Sequence, residues 1–236
     1  MSPTLVNLAY LISAALFIMG LKGLTHPRSA VRGNMLGALG MLIAIVVTLL
    51  DRNIISYWLI IAGVVIGGGI GAYLSVKVQM TDMPQLVAVL NGFGGAASIF
   101  VAGAVLFEVP HLVGTPLEID LNAEFLMSVF ASGFIGAITF TGSMIAYAKL
   151  QGLTKETPVR YPADQLVKIA IAIISVVFGA LMLMYPGSSA PYIFMVIAAC
   201  VLGVLVTIPI GGADMPVVIA LLNSLSGLAA AATGFV

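Results

Sequence analysis

The sequence predicts an all-α fold, a polytopic membrane bundle of eight transmembrane helices with its N-terminus outside. Three observations predict it: too few charges to coat a soluble surface, apolar runs long enough to span a bilayer as helices, and basic residues that sort to alternate loops. Of the 236 residues, 61% are hydrophobic and 8% are charged, against about 25% charged in soluble domains. In lipid, every backbone N–H and C=O must be bonded within the chain, which leaves helices or a closed barrel. Barrel strands alternate in polarity over about ten residues. The apolar runs here continue for about twenty, the helical length that crosses ~30 Å of hydrocarbon.

Charged or Pro/Gly-rich breaks place the spans at Leu5 to Leu24, Val31 to Leu50, Ile54 to Val76, Met83 to Phe107, Phe125 to Ala148, Leu166 to Tyr185, Pro191 to Ile208 and Met215 to Phe235. The first reads as a retained helix. Met1 to Asn7 holds no Lys or Arg, and the run exceeds a signal core of about 7 to 15 residues. Loops after the first, third, fifth and seventh spans share one side and collect Lys22, Arg28, Arg32, Lys77, Lys149, Lys155, Arg160 and Lys168. Only Arg52 falls opposite. The positive-inside rule makes the basic side cytoplasmic, so both termini face outward. The connection from Glu108 to Glu124 adds Glu118 and Asp120 without a Lys or Arg, which suits the outside. Residues 1–236 therefore read as one membrane domain, and a chain that stops directly after a span reads as C-terminally truncated.

Asp82-Met83-Pro84-Gln85-Leu86-Val87-Ala88-Val89-Leu90-Asn91 recurs as Asp214-Met215-Pro216-Val217-Val218-Ile219-Ala220-Leu221-Leu222-Asn223. Gly95 and Ala97 then match Gly227 and Ala229, and Gly71 matches Gly203 in the preceding spans. Copies an even number of spans apart run the same way, so the repeat is parallel, not inverted. Asp82 and Asp214 are placed to cap helix N-termini, with Pro84 and Pro216 in the first turn, where no N–H is needed. Nine residues on, roughly 13 Å deeper, Asn91 and Asn223 lie near the membrane centre. Small residues share the face of each amide: Pro84, Ala88, Gly95, Ser98 and Ala102, then Pro216, Ala220, Gly227, Ala230 and Gly234. Gly63, Gly67 and Gly71 form another such stripe. Stripes of this kind admit close helix approach and direct a polar amide inward. Each Asn is either an interhelical hydrogen-bonding group or part of a transport path, and each Asp either a cap or a pathway mouth.

Other chemistry is not indicated. His26 and His111 have no metal-ligand spacing with Cys, Asp or Glu, so no metal site is expected. Cys200, the one cysteine, reads as a small core residue. No glycine-rich phosphate loop follows a strand, so no cofactor is expected to bind within this segment. No basic run suggests nucleic acid.

Met80-Thr81-Asp82-Met83-Pro84-Gln85 through Asn91-Gly92-Phe93-Gly94-Gly95-Ala96-Ala97-Ser98 closely resembles a signature of the membrane domain of the β subunit of proton-translocating nicotinamide nucleotide transhydrogenases. Gly211 to Pro216 continuing through Asn223 to Gly227, and Phe134-Ile135-Gly136-Ala137-Ile138-Thr139-Phe140-Thr141-Gly142-Ser143, resemble two further signatures. The resemblance covers essentially the whole chain. It implies a multi-pass protein of the bacterial cytoplasmic (inner) membrane that moves protons while soluble domains pass hydride from NADH to NADP⁺. It also implies an α subunit with an NAD(H)-binding domain and membrane helices, a dimer of the complex, and one helix more than is read here before a cytoplasmic NADP(H)-binding domain. Asn223 and Asp214 match the family's polar channel residue and the acid at its cytoplasmic mouth. Asn91 stands where some members carry a histidine that takes up the proton. An amide cannot store a proton near neutrality, so the resemblance implies that an α-subunit helix supplies that group.

Two other functions remain open to the sequence, a secondary transporter of a small solute and a structural membrane scaffold. Alternating-access sites use helices broken near the midplane, whereas the fourth and eighth spans carry Pro only in their first turns. Of the two aspartates, Asp214 is expected to link more directly to a nucleotide domain. Gly211-Gly212-Ala213 reads as a flexible lead-in, whereas Gln85 three residues after Asp82 reads as a capping box that stiffens its helix start.

Overall fold

Helix starts follow local chemistry. Proline, whose missing N–H costs nothing in a first turn, stands at the start of α1 (Pro3–Leu24), α2 (Pro27–Leu49), α7 (Ala190–Thr207) and α8 (Met215–Thr233). The Asn122 side chain accepts the Phe125 N–H at 2.8 Å to begin α5 (Ala123–Leu150). At its far end the Leu153 N–H reaches the Ala148 carbonyl at 2.8 Å and Gly152, at φ 68°, bonds back to Lys149. This is a Schellman ending, which needs a left-handed residue after the cap. The others are α3 (Tyr57–Lys77), α4 (Met83–Leu112) and α6 (Asp164–Met184).

The computed structural model describes residues 2–50, 57–112, 121–185 and 188–236. Among these are eight helices long and apolar enough to cross a membrane, and no strand. The expected spans are all present. The fourth continues past Phe107 to Leu112, so His111 is helical instead of lying in a loop. Ile54, Arg52, Glu118 and Asp120 lie outside the described residues.

The chain divides into two units, Met1–Tyr73 and Leu74–Val236. In the first, α1 and α2 form a tight hairpin. A Cβ on Gly33 would lie 2.6 Å from the Gly20 carbonyl oxygen, so only glycine permits the crossing. The Ser13 hydroxyl, buried in the seam, donates to the Gly40 carbonyl at 2.6 Å. Among the described residues, nothing stands within 4 Å of where Cβ atoms on the glycine stripe of α3 would be.

In the second unit α5 is the central helix, packed by α4, α6, α7 and α8. Its glycines explain the closeness. Cβ atoms on Gly95 and Gly136 would lie 2.6 and 2.7 Å from the other's carbonyl oxygen, which brings α4 and α5 backbone to backbone. Gly203 on α7 does the same against Ile138 of α5. The Tyr192 hydroxyl donates to the Ile99 carbonyl at 2.7 Å, pinning α7 across α4. Large side chains such as Phe100, Leu166 and Val217 stay exposed, as lipid-facing positions do.

The sequence repeat is also a structural one. Each copy opens with a single 3-10 turn, Met80–Asp82 and Gly212–Asp214, entered from extended residues Gln79 (φ −74°, ψ 157°) and Gly211 (φ −70°, ψ 156°). The helices that follow lie side by side and parallel. Pro84 and Val87 share a groove with Pro216 and Ile219, their own counterparts in the repeat, and a Cβ on Gly94 would stand 3.1 Å from the hydroxyl of its counterpart, Ser226.

Candidate functional site

The face of α4 that carries Asn91 is buried, as its small residues predict: Ala88, Asn91, Gly95, Ser98 and Ala102 all pack inward. Asn91 is 6% exposed and donates from Nδ2 to the Ser143 hydroxyl of α5 at 2.8 Å. Among the described residues its Oδ1 is buried without a hydrogen-bond partner, and so are Gln85 Oε1 and Thr139 Oγ1. Buried polar atoms normally find partners, and these three stand unmatched on the two adjoining helices α4 and α5.

On α5, Ser132, Gly136, Thr139 and Ser143 occupy one buried face at helical spacing. Ser143 to Ser132 covers roughly 16 Å along the axis at 1.5 Å per residue. The file ends where three helices meet. Ser132 Oγ lies 3.1 Å from the Ser98 carbonyl of α4 and 2.6 Å from Thr233 Oγ1 of α8, which lies 2.8 Å from the Ala229 carbonyl. Each hydroxyl has one hydrogen, so the pair can point either way: Ser132 to Ser98 with Thr233 to Ser132, or Ser132 to Thr233 with Thr233 to Ala229.

The second copy is different. Pro216, Ala220, Asn223, Gly227, Ala230 and Gly234 are exposed within their unit, and α8 buries Met215, Ile219, Leu222 and Ala229 instead. Asn223 is thus exposed within its unit, where the sequence led us to expect it inside the bundle or lining a polar cavity. One stripe covers α5, but α8 meets α5 through its larger side chains, which turns its small face outward. Asn223 lines an open groove of about 370 Å³ with Met83, Pro84, Val87, Pro216, Ile219 and Ala220, between the first turns of α4 and α8.

Both aspartates end the 3-10 turn before their helix, Asp82 half-buried and Asp214 exposed. Asp214 makes no side-chain capping bond, because the 3-10 turn has already drawn it into helical backbone (φ −91°, ψ −3°). Nor does Gln85 complete a capping box, since its Oε1 is buried and unmatched. The lead-in to Asp214 is not free either. The Gly212 N–H donates to the Glu156 carbonyl at 2.9 Å, and Lys149 Nζ lies 2.6 Å from the carbonyl oxygens of both Ile208 and Ile210.

Sequence reasoning missed Ser132, Thr139, Ser143, Thr233 and Lys149. The first three stand in or beside the glycine-rich stretch Phe134 to Ser143, where period and small size were legible but partners were not. Among the described residues no group of His, Cys, Asp and Glu could hold a metal ion.

A sequence profile described as the NAD(P) transhydrogenase beta subunit matches residues 6–236. The chain belongs to that family. It is similar to two curated relatives, both described as NAD(P) transhydrogenase subunit beta, from Rhodospirillum rubrum and from its strain ATCC 11170. Each is 42% identical over 235 residues, covering 100% of this chain and 50% of the relative. The chain thus spans about half the length of the curated relatives it matches. Family and helices together make it a multi-pass protein of the bacterial inner membrane.

Proposed function

We propose that this chain is the proton-conducting membrane domain, residues 1–236, of a proton-translocating NAD(P)⁺ transhydrogenase, coupled to hydride transfer from NADH to NADP⁺ elsewhere in the complex. The observation that carries this reading is the buried Asn91–Ser143 pair, with unmatched polar atoms on Asn91 and Thr139 along the α4 and α5 seam and on Gln85 in the first turn of α4. Protons would travel along water held by these groups toward the Ser132 and Thr233 hydroxyls. Asn91 orients that water and accepts from it, but the group that stores the proton comes from the α subunit.

Asp214 is the mouth at the cytoplasmic end and Asp82 a second acid beside it, with the N-terminus outside. Asn223, on the open face of α8, belongs to the pathway by meeting a membrane helix of the α subunit. NAD(H) and NADP(H) are held by soluble domains, the latter by an NADP(H)-binding domain of the same subunit, in a dimer of the complex. A solute transporter is disfavoured, because α4 and α8 run unbroken through the depth where its site would lie.

The test is the purified complex in proteoliposomes. Proton movement driven by NADH and NADP⁺ supports the reading, whereas solute uptake without nucleotides or no proton movement overturns it.

A further inference from the structure

Among the described residues Lys149 is the largest fully buried side chain, 1% exposed, in the last turn of α5. Burying an ammonium costs several kcal/mol unless it is compensated. Among the described residues its hydrogen bonds run to two carbonyls, of Ile208 and Ile210, and no carboxylate forms an ion pair with it. Ile208 caps the C-terminus of α7, the negative end of that helix dipole. The Schellman ending at Gly152 fixes the last turn of α5, so the ammonium is aimed by a rigid element.

The tethered segment leads straight to Asp214. Ile210 is followed by Gly211, the 3-10 turn Gly212–Asp214 and then α8. The α5–α6 loop holds the same stretch, with the Glu156 carbonyl accepting from Gly212 at 2.9 Å and the Val159 N–H reaching the Ile208 carbonyl at 3.4 Å. Two glycines would otherwise leave this connection loose.

We infer that Lys149 is a positioning residue, holding the α7–α8 connection in place and thereby setting where Asp214 stands at the start of α8. A methionine would fill the same space at no desolvation cost, so packing alone does not call for a lysine. The clamp rests on geometry, and its consequence for pumping rests on the function proposed above.

The test compares Lys149→Met, which keeps the stem and removes the donors, with Lys149→Arg, which keeps donors, in the full complex. Amide exchange over 208–214 is followed in lipid nanodiscs, and the ratio of protons moved to hydride transferred in proteoliposomes. Loss of charge-assisted hydrogen bonds should speed exchange of that segment about tenfold or more while the interior of α5 is unchanged. The proton-to-hydride ratio should fall, and Lys149→Arg should restore both. Unchanged exchange, a uniform loss of protection along α5 and α7, a constant ratio, or no rescue by Arg would each overturn the inference. If Lys149→Met does not assemble, the same comparison on Lys149→Leu, which also lacks donors, decides it. If the unaltered complex moves no protons, the proposed function fails, and exchange still judges the clamp.

Discussion

Asn91 of α4 and Ser143 of α5 are joined by a 2.8 Å hydrogen bond inside the α4–α5 seam. The bond holds the amide so that Oδ1 remains the free acceptor. Ser143→Ala should release the amide and cost about 1 kcal/mol, within the modest range of membrane hydrogen bonds. Proton pumping in proteoliposomes should fall with it, whereas Ser143→Thr, which retains the hydroxyl, should pump better than the alanine variant.

Asn91→His would place an ionisable group at the same buried position. Its titration should give proton pumping a new pH-dependent limb in the range where histidine changes charge, about pH 5 to 8. A pumping profile unchanged from the parent would show that position 91 does not face the proton path.

The two copies of the repeat should respond differently to one added methyl group. Gly95→Ala would set a Cβ 2.6 Å from the Gly136 oxygen and should destabilise the unit by about 1 to 3 kcal/mol. Among the described residues, a Cβ on its counterpart Gly227 would meet nothing within 4 Å. Gly227→Ala should leave the melting temperature of the isolated chain unchanged yet weaken assembly with the α subunit, read by co-purification.

Asp214→Asn should lower pumping about tenfold or more, the scale of a lost acid–base group, with little change in thermal stability because no capping bond is lost. Asp82→Asn should pump closer to normal, since Asp82 is half-buried and Asp214 is exposed to exchange with bulk water. Normal pumping by Asp214→Asn alongside failure of Asp82→Asn would reverse the assignment.

The sequence made the helices legible because lipid demands long apolar runs, and it made the parallel repeat legible because Pro and Asp punctuate both copies. Asn91's burial could be read from its small neighbours. The orientation of α8 could not, because a small-residue stripe shows that a helix can come close without saying which helix does. Lys149 was hidden for a related reason: a lysine at a helix end satisfies the positive-inside rule whether it points to water or, as here, back into the fold. Hydroxyls such as Thr139 keep helical spacing along α5, but their partners emerged only when α4 was laid against α5.

The most direct measurement is nucleotide-driven proton uptake by the purified complex in proteoliposomes carrying Asn91→Leu, scored beside NADP(H) binding by the same preparation. Leucine keeps the bulk of the side chain but removes both the bond to Ser143 and the free acceptor. The account predicts that proton uptake is lost while NADP(H) binding persists. Proton uptake at the parent rate would contradict it, since the α4–α5 seam could then not be the path.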